Sequence, residues 1–293
     1  MRNLFDEFKN LWPATSHAAF KPILSSVSFL YFPADLNKLK FINNRQKVII
    51  VINSATLNDI VGLLSMGFEH IVQNNRVDFA QELLVSGLMA CRPESFTKNP
   101  IPFFFGGFLE PNFSERSDLH FMTNISKKAD KDHTIESLHS FLQEKKKMMR
   151  IKDLIIQIAD ELIANAISSE FATNTNAPNI TTLKEDTVFS KPVKFFCCHN
   201  NSRIIIGCED QNGTFKKPSF LSFLRRIFSS TMVKANSDES RGAGFGFKYI
   251  IENSANIYLY TDENVSSLVA CGLSLNGIKE NVADSKNFHF SFK

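Results

Sequence analysis

The chain has 293 residues, enough for one large domain or two ordinary ones, and 43% of them are apolar, enough to build a core and to exclude a globally disordered coil. A formal net charge of +3, from 33 basic and 30 acidic residues, is too small to point to nucleic acid. Five cysteines, with no Cys-x-x-Cys pair among them, exclude a zinc ribbon or a dithiol redox motif and suit buried free thiols in a reducing compartment.

The opening stretch MRNLFDEFKNLWPATS carries acidic residues and no continuous apolar core, so it does not read as a secretory signal. No run of about 18 apolar residues occurs, so the expected location is cytoplasmic, without membrane contact. Residues 1–95 read as a small α/β unit. SVSFLYF (26–32) and KVIIVIN (47–53) have the continuous apolar character of buried parallel strands. TLNDIVGLLSMG (56–67) predicts a helix capped by Thr56 or Asn58 and ended by Gly67. FEHIVQ (68–73) predicts a third strand, and VDFAQELLVSGLMA (77–90) a second, amphipathic helix. Residues 91–130 are punctuated by Pro93, Pro100, Pro102, Gly106, Gly107 and Pro111 and read as irregular, with 96–130 a linker. The very apolar IPFFFGGF (101–108) within it suits docking onto a neighbouring domain or a partner.

Residues 131–293 read as a second domain. A polar helix (HTIESLHSFLQEKKK) precedes a longer one, RIKDLIIQIADELIANAISSEF (150–171), in which Ile151, Leu154, Ile155, Ile158, Leu162 and Ala166 share one stripe. A polar loop follows, then the hairpin strands KPVKFFCCHN and SRIIIGCED, joined at 199–202. PSFLSFLRRIFSS (218–230) predicts a helix with proline near its start. The loop MVKANSDESRGAGFG leads into a helix, FKYIIENSA, and the strands NIYLYTD and SLVACGLSL close the domain.

Three motifs in this domain carry chemistry. Glu161 and Asn165 stand at i and i+4, on one helix face beside the apolar stripe, where a carboxylate and an amide are costly without partners. Asp210 ends an apolar strand and is followed, across Gln211 and Asn212, by Gly213. A carboxylate there can accept from an exocyclic amine such as that of adenine, and a glycine lets the chain approach a flat ring. Gly242, Gly244 and Gly246 precede a helix, and bare backbone amides with a helix N-terminus make an anion site. No Gly-Lys-Ser/Thr follows, which excludes a Walker loop, and no strand leads into the glycines as a dinucleotide fingerprint requires. Each motif alone has a plainer explanation: a boundary carboxylate with a bonded amide, an Asp/Asn/Gly turn, a lone glycine cluster.

Taken in order, the motifs resemble the GHKL superfamily of histidine-kinase-like ATPases across residues 150–293, and ELIANAI (161–167) is similar to the N box of anti-sigma-factor kinases. The resemblance implies an α+β two-layer sandwich, a mixed sheet packed on helices, that binds ATP with Mg²⁺. It implies that Asn165 holds the Mg²⁺, Glu161 serves as general base, Asp210 reads the adenine amino group and Gly213 floors the adenine pocket. Gly242, Gly244 and Gly246 would line the phosphates, and residues 229–241 would form the ATP lid. The chain departs from the family's Asp-x-Gly turn, since Gly213 falls one residue later in Asp-Gln-Asn-Gly. That spacing resembles a bacterial subgroup of regulatory proteins that often pair this domain with a receiver-like N-terminus. No separate F box is present, and neither His133 nor His139 sits in a Ser-His-Glu-like phosphoacceptor sequence.

Residues 26–90 in turn resemble the second half of a response-regulator receiver, of flavodoxin-like α/β fold. VIIVINSA would make Ser54 the switch residue, and MGFEHIVQNN carries Asn74 and Asn75 where receivers have Lys-Pro. No acidic pair stands near the start, and Asp35 follows Pro33 rather than ending a strand. The resemblance implies a degenerate receiver that is not phosphorylated and serves protein contact.

The function this implies is an ATP-binding regulator of bacterial two-component-like signalling that acts on a regulatory protein partner, as a Ser/Thr kinase of the anti-sigma-factor type in its catalytic form. A homodimer is left open. The alternative is a non-catalytic interaction scaffold with a degenerate nucleotide site. A third reading, a self-contained histidine kinase using His139, needs the helix that follows Asp132 to dimerise.

Overall fold

The computed structural model describes residues 2–12, 14, 17–53, 55–105, 120–171, 183–228, 245–276 and 286–293. The chain divides into two units, Met1–Arg116 with Asp284–Ser291, and Ser117–Ala283 with Phe292–Lys293.

The first unit is built on parallel strands. After β1 (Arg2–Asn3), α1 (Leu4–Phe8) and α2 (His17–Leu24) come β2 (Ser28–Phe32), β3 (Val48–Ile52) and β4 (His70–Gln73), which lie parallel in the order β2-β3-β4. Every residue of β3 is buried, as its continuous apolar run requires. α3 (Leu57–Ser65) connects β3 to β4 and starts in a full capping box: the Asp59 N–H donates to Thr56 Oγ1 at 3.2 Å, and the Thr56 N–H donates to Asp59 Oδ2 at 2.9 Å. Gly67, at φ +94°, ends that turn. α4 (Phe79–Cys91) packs on β3 and β4, and α5 (Pro93–Lys98) and α6 (Pro100–Phe105) pack on α4. The expected irregular stretch is therefore helical over 93–105. Pro93 and Pro100 each stand first in a helix, where the missing N–H costs nothing. The Asp35 carboxylate is turned back on its own loop, accepting the Tyr31 N–H at 3.0 Å and Lys38 Nζ at 2.5 Å. Ser54 lies outside the described residues.

The fifth strand of this sheet comes from the far end of the chain. β10 (Asn287–Phe292) runs antiparallel to β4, with Phe288 opposite Ile71 and His289 opposite His70. The sequence reading had this segment within the second domain. Its polar side chains are buried with partners. Asn287 Oδ1 accepts the Gln73 N–H at 2.7 Å, and His289 Nδ1 lies 2.7 Å from Ser86 Oγ. His289 Nε2 makes an ion-pair contact with Glu82 Oε2 at 2.7 Å, with both side chains fully buried.

His70 shares this buried layer, and its ring Nδ1 has no hydrogen-bond partner among the described residues. Burial, helped by the neighbouring His289, pushes its imidazole down to about 3 from 6.5. The unfolded chain therefore binds a proton that the folded chain refuses between those values. The stability from keeping this ring neutral is fully present above pH 6.5 and is lost as pH falls toward 3. The expected loss is about 1 kcal/mol or slightly more per pH unit. Acid titration of unfolding, followed by the fluorescence of Trp12, measures it: this single tryptophan is buried and donates to the Ala80 carbonyl of α4 at 3.0 Å. His70→Gln should flatten the slope between pH 6.5 and 4.5, and an unchanged slope would assign the acid sensitivity to another group.

The second unit is an antiparallel sheet with helices against it. β5 (His120–Lys127) falls in the expected linker, yet it pairs with β6 (Val188–His199) from His120 opposite Cys198 to Lys127 opposite Val188. Only Ile125 of β5 is buried, so its alternation is too weak to be read. β7 (Arg203–Asp210), β9 (Ser266–Ser274) and β8 (Asn256–Asp262) complete the order β5-β6-β7-β9-β8, with each pair antiparallel. The parallel pairs belong to the first unit. Of the helices α7 (Ala129–Gln143), α8 (Lys152–Phe171), α9 (Lys217–Phe228) and α10 (Phe245–Asn253), α8 packs on β6 and β7 and is flanked by α7 and α10. Of the predicted stripe, Leu154 alone is not fully buried. Ala159, Ile163 and Ile167 are buried as well, because α8 is covered on more than one side. Each buried Ile or Leu contributes about 2 kcal/mol, so packing holds α8 more than helix propensity does.

All five cysteines are free, and Cys197, Cys198, Cys208 and Cys271 are buried, which raises their thiol pKa values and leaves them unreactive. Among the described residues no helix is long and apolar enough to cross a membrane.

Candidate functional site

In the second unit a cavity of about 180 Å³ opens between α8, the end of β7, the turn after it and α10. Asn165, Ser169, Asp210, Thr214, Phe215 and Phe247 are among its walls. Asn165 Nδ2 is buried and has no hydrogen-bond partner among the described residues. Such an atom carries a desolvation cost that a ligand can relieve. Turning the carboxamide exchanges its nitrogen and oxygen, so the position can offer a donor or an acceptor.

Asp210 is 5% exposed. Its Oδ1 accepts the Asn212 N–H at 2.9 Å and the Gly213 N–H at 3.2 Å, which closes an Asx turn. Burial pushes its carboxyl above the usual carboxylate range, and these bonds with one from Ser169 oppose that. Gly213 lies at φ +59°, and a Cβ there would stand 2.3 Å from the Asp262 carbonyl oxygen and 2.7 Å from the Asn264 and Val265 nitrogens. The glycine is thus required by the close approach of the β8–β9 turn. It does not line the cavity, whereas its neighbours Thr214 and Phe215 do. Phe215, Phe220, Phe223 and Phe247 form a cluster beside the cavity, with contacting ring centroids 5.6–5.8 Å apart.

Glu161 stands one turn before Asn165, and its carboxylate rests against the bare α-carbon of Gly246, the second residue of α10. Burial, and then the charge of Asp160, raises its carboxyl above the usual range, with Lys131 opposing. It lines a separate open groove of about 320 Å³ with Ile156, Gln157, Asp160 and Tyr249, where the Tyr249 hydroxyl donates to Gln157 Oε1.

No family model matches the chain, and no curated protein matches it. A functional reading therefore rests on the site itself.

Of the residues expected from sequence, Asn165 and Asp210 meet at one cavity, Glu161 and Gly246 touch beside it, and Gly213 supports the turn. Gly242, Gly244 and the expected lid lie outside the described residues. His139, the residue of the histidine-kinase reading, has its Nε2 engaged by Lys152 Nζ at 2.8 Å. Among the described residues no group of three or more His, Cys, Asp or Glu stands together as a metal site. The sequence reading missed Ser169, Thr214, Phe215, Phe247 and Tyr249. Ser169 is four residues after Asn165, so helical spacing marks it. The phenylalanines reach the cavity only through the fold of the turn and of α10.

Proposed function

We propose that the second unit binds ATP with Mg²⁺ and that the protein is a nucleotide-dependent signalling regulator, with phosphoryl transfer to a hydroxyl of a protein partner as its catalytic form. The observation that carries this is the cavity with the Asn165 side-chain nitrogen buried in one wall, without a hydrogen-bond partner among the described residues, and the buried Asp210 carboxylate in another. At about 180 Å³ it is smaller than the roughly 300–1,000 Å³ of whole-ligand pockets and suits one planar ring system. Asp210 would accept from the exocyclic amine of the base, and Phe215 and Phe247 would wall its ring. Asn165 would hold the cation through its amide oxygen together with the phosphates, consistent with a site that needs no cluster of protein ligands. The cation, when bound, supplies neutralisation of phosphate charge. The raised pKa of Glu161 brings its carboxylate nearer to the range in which a base takes a proton from a hydroxyl, and the groove beside it gives such a hydroxyl room.

The scaffold reading has its own support: Asp210 Oδ1 serves its own turn, so this carboxylate has a structural use without a ligand. Calorimetric titration of the full chain with a non-hydrolysable ATP analogue, with and without Mg²⁺, separates the two. Mg²⁺-dependent binding is the expected result. No binding at millimolar analogue would leave the scaffold.

A further inference from the structure

The turn from Asp210 to Gly213 is one residue longer than Asp-x-Gly, and the helix that carries Asn165 ties the extra length down. Asn212 Nδ2 donates to Glu170 Oε2 at 3.0 Å, and Glu170 Oε1 accepts the Ser190 N–H at 2.6 Å. From β6, Lys191 Nζ donates to the Gln211 carbonyl at 2.6 Å. Glu170 stands five residues beyond Asn165 on α8. One helix thus holds the amide in one wall of the cavity and, through Asn212, steadies the carboxylate in another. The Asn212 backbone N–H donates to Asp210 Oδ1 while its side chain is held by Glu170, so this one residue couples the carboxylate to the helix. Burial alone would raise the Glu170 carboxyl; the bonds from Ser190 and Asn212, with the Lys191 charge, hold it below its usual range instead. It is therefore ionised at neutral pH, and bonds to an ionised acceptor are the stronger kind.

We infer that Glu170 and Asn212 are positioning residues that fix Asp210 in the cavity and so set its preference for a base carrying an exocyclic amine over one presenting a carbonyl at the same place. This rests on the ATP reading of the cavity. A carboxylate held still attracts an amine and repels a carbonyl oxygen, and both effects fade once it can turn away. Cutting the tie leaves the apolar walls standing, so the disfavoured base loses little.

The test uses the full chain in three forms: wild type, Asn212→Ala, and the reciprocal pair Glu170→Gln with Asn212→Asp. In the pair, the introduced amide can still accept from Ser190 and donate to the introduced carboxylate, so the bonding pattern survives with its direction reversed. Each form is titrated with non-hydrolysable ATP and GTP analogues in Mg²⁺. Wild type should prefer the ATP analogue. Asn212→Ala should weaken ATP-analogue binding about tenfold, the worth of one hydrogen bond to a charged group, with GTP-analogue binding nearly unchanged. The pair should restore the preference. Equal losses for both analogues, no loss at all, or a pair that behaves like Asn212→Ala would each overturn the positioning role while leaving the ATP reading intact. A wild type that binds neither analogue would overturn the ATP reading and this role together.

Discussion

Exchanging His289 for alanine is expected to lower the stability of the first unit by about 3–5 kcal/mol, the usual cost of removing a large buried ring together with the polar contacts it makes. Glu82 is fully buried in the first turn of α4, and the His289 ring brings it a contact at 2.7 Å from a strand more than two hundred residues away. Without the ring, Glu82 loses that partner, Ser86 loses the nitrogen at 2.7 Å, and a ring-sized hole remains between α4 and β10. Urea unfolding read by Trp12 fluorescence isolates this unit, because the single tryptophan sits against α4. A double replacement, His289→Leu with Glu82→Leu, should recover most of the loss, since apolar residues of similar volume often substitute for a buried pair at little net cost. A loss under about 1 kcal/mol for His289→Ala would show that water or another group replaces the ring easily. A double variant as unstable as the single would show that neither the hole nor the carboxylate sets the cost, because leucine at 289 fills the first and leucine at 82 removes the second.

The same contact explains why β10 is hard to read from the sequence. Asn287 and His289 interrupt an apolar strand pattern, and nothing nearby in the chain shows that Gln73, Glu82 and Ser86 will satisfy them. β5 is obscured for the opposite reason: it lies at the edge of its sheet, and Ile125 alone supplies a buried side chain. By contrast, β3, α3 and α8 are legible because their signals are local. β3 has an unbroken apolar run, α3 has its Thr56–Asp59 capping box, and α8 has a helical apolar stripe. Within the candidate site, Asn165 follows from helical spacing and Asp210 from its place at a strand end. Gly213 was expected against a ligand, yet its backbone conformation answers to the β8–β9 turn. The Glu170–Asn212 tie joins residues 42 apart, and neither has a spacing signal of its own.

If Asn165 holds the cation as proposed, replacing it by alanine should weaken Mg²⁺-dependent binding of the ATP analogue by about a hundredfold or more, because the cation would lose its protein ligand and the phosphates their anchor. The fold should not suffer. The Asn165 nitrogen is buried without a hydrogen-bond partner among the described residues, so alanine removes a desolvated polar group, and the expected change in stability lies between zero and a gain of about 1 kcal/mol. Function and stability then move in opposite directions, which is the signature of a residue kept for a ligand rather than for packing. Asn165→Asp sharpens the test, since it keeps an oxygen and discards the nitrogen donor. Binding that survives in the aspartate variant assigns the contact to the oxygen, as a cation requires, and binding lost in both variants assigns it to the nitrogen. Calorimetric titration gives the affinities and thermal unfolding gives the stabilities. Wild-type affinity in Asn165→Ala would falsify the assignment outright. A loss of stability beyond about 1 kcal/mol would mark the amide as a structural group, and the cavity would then have to be explained without it.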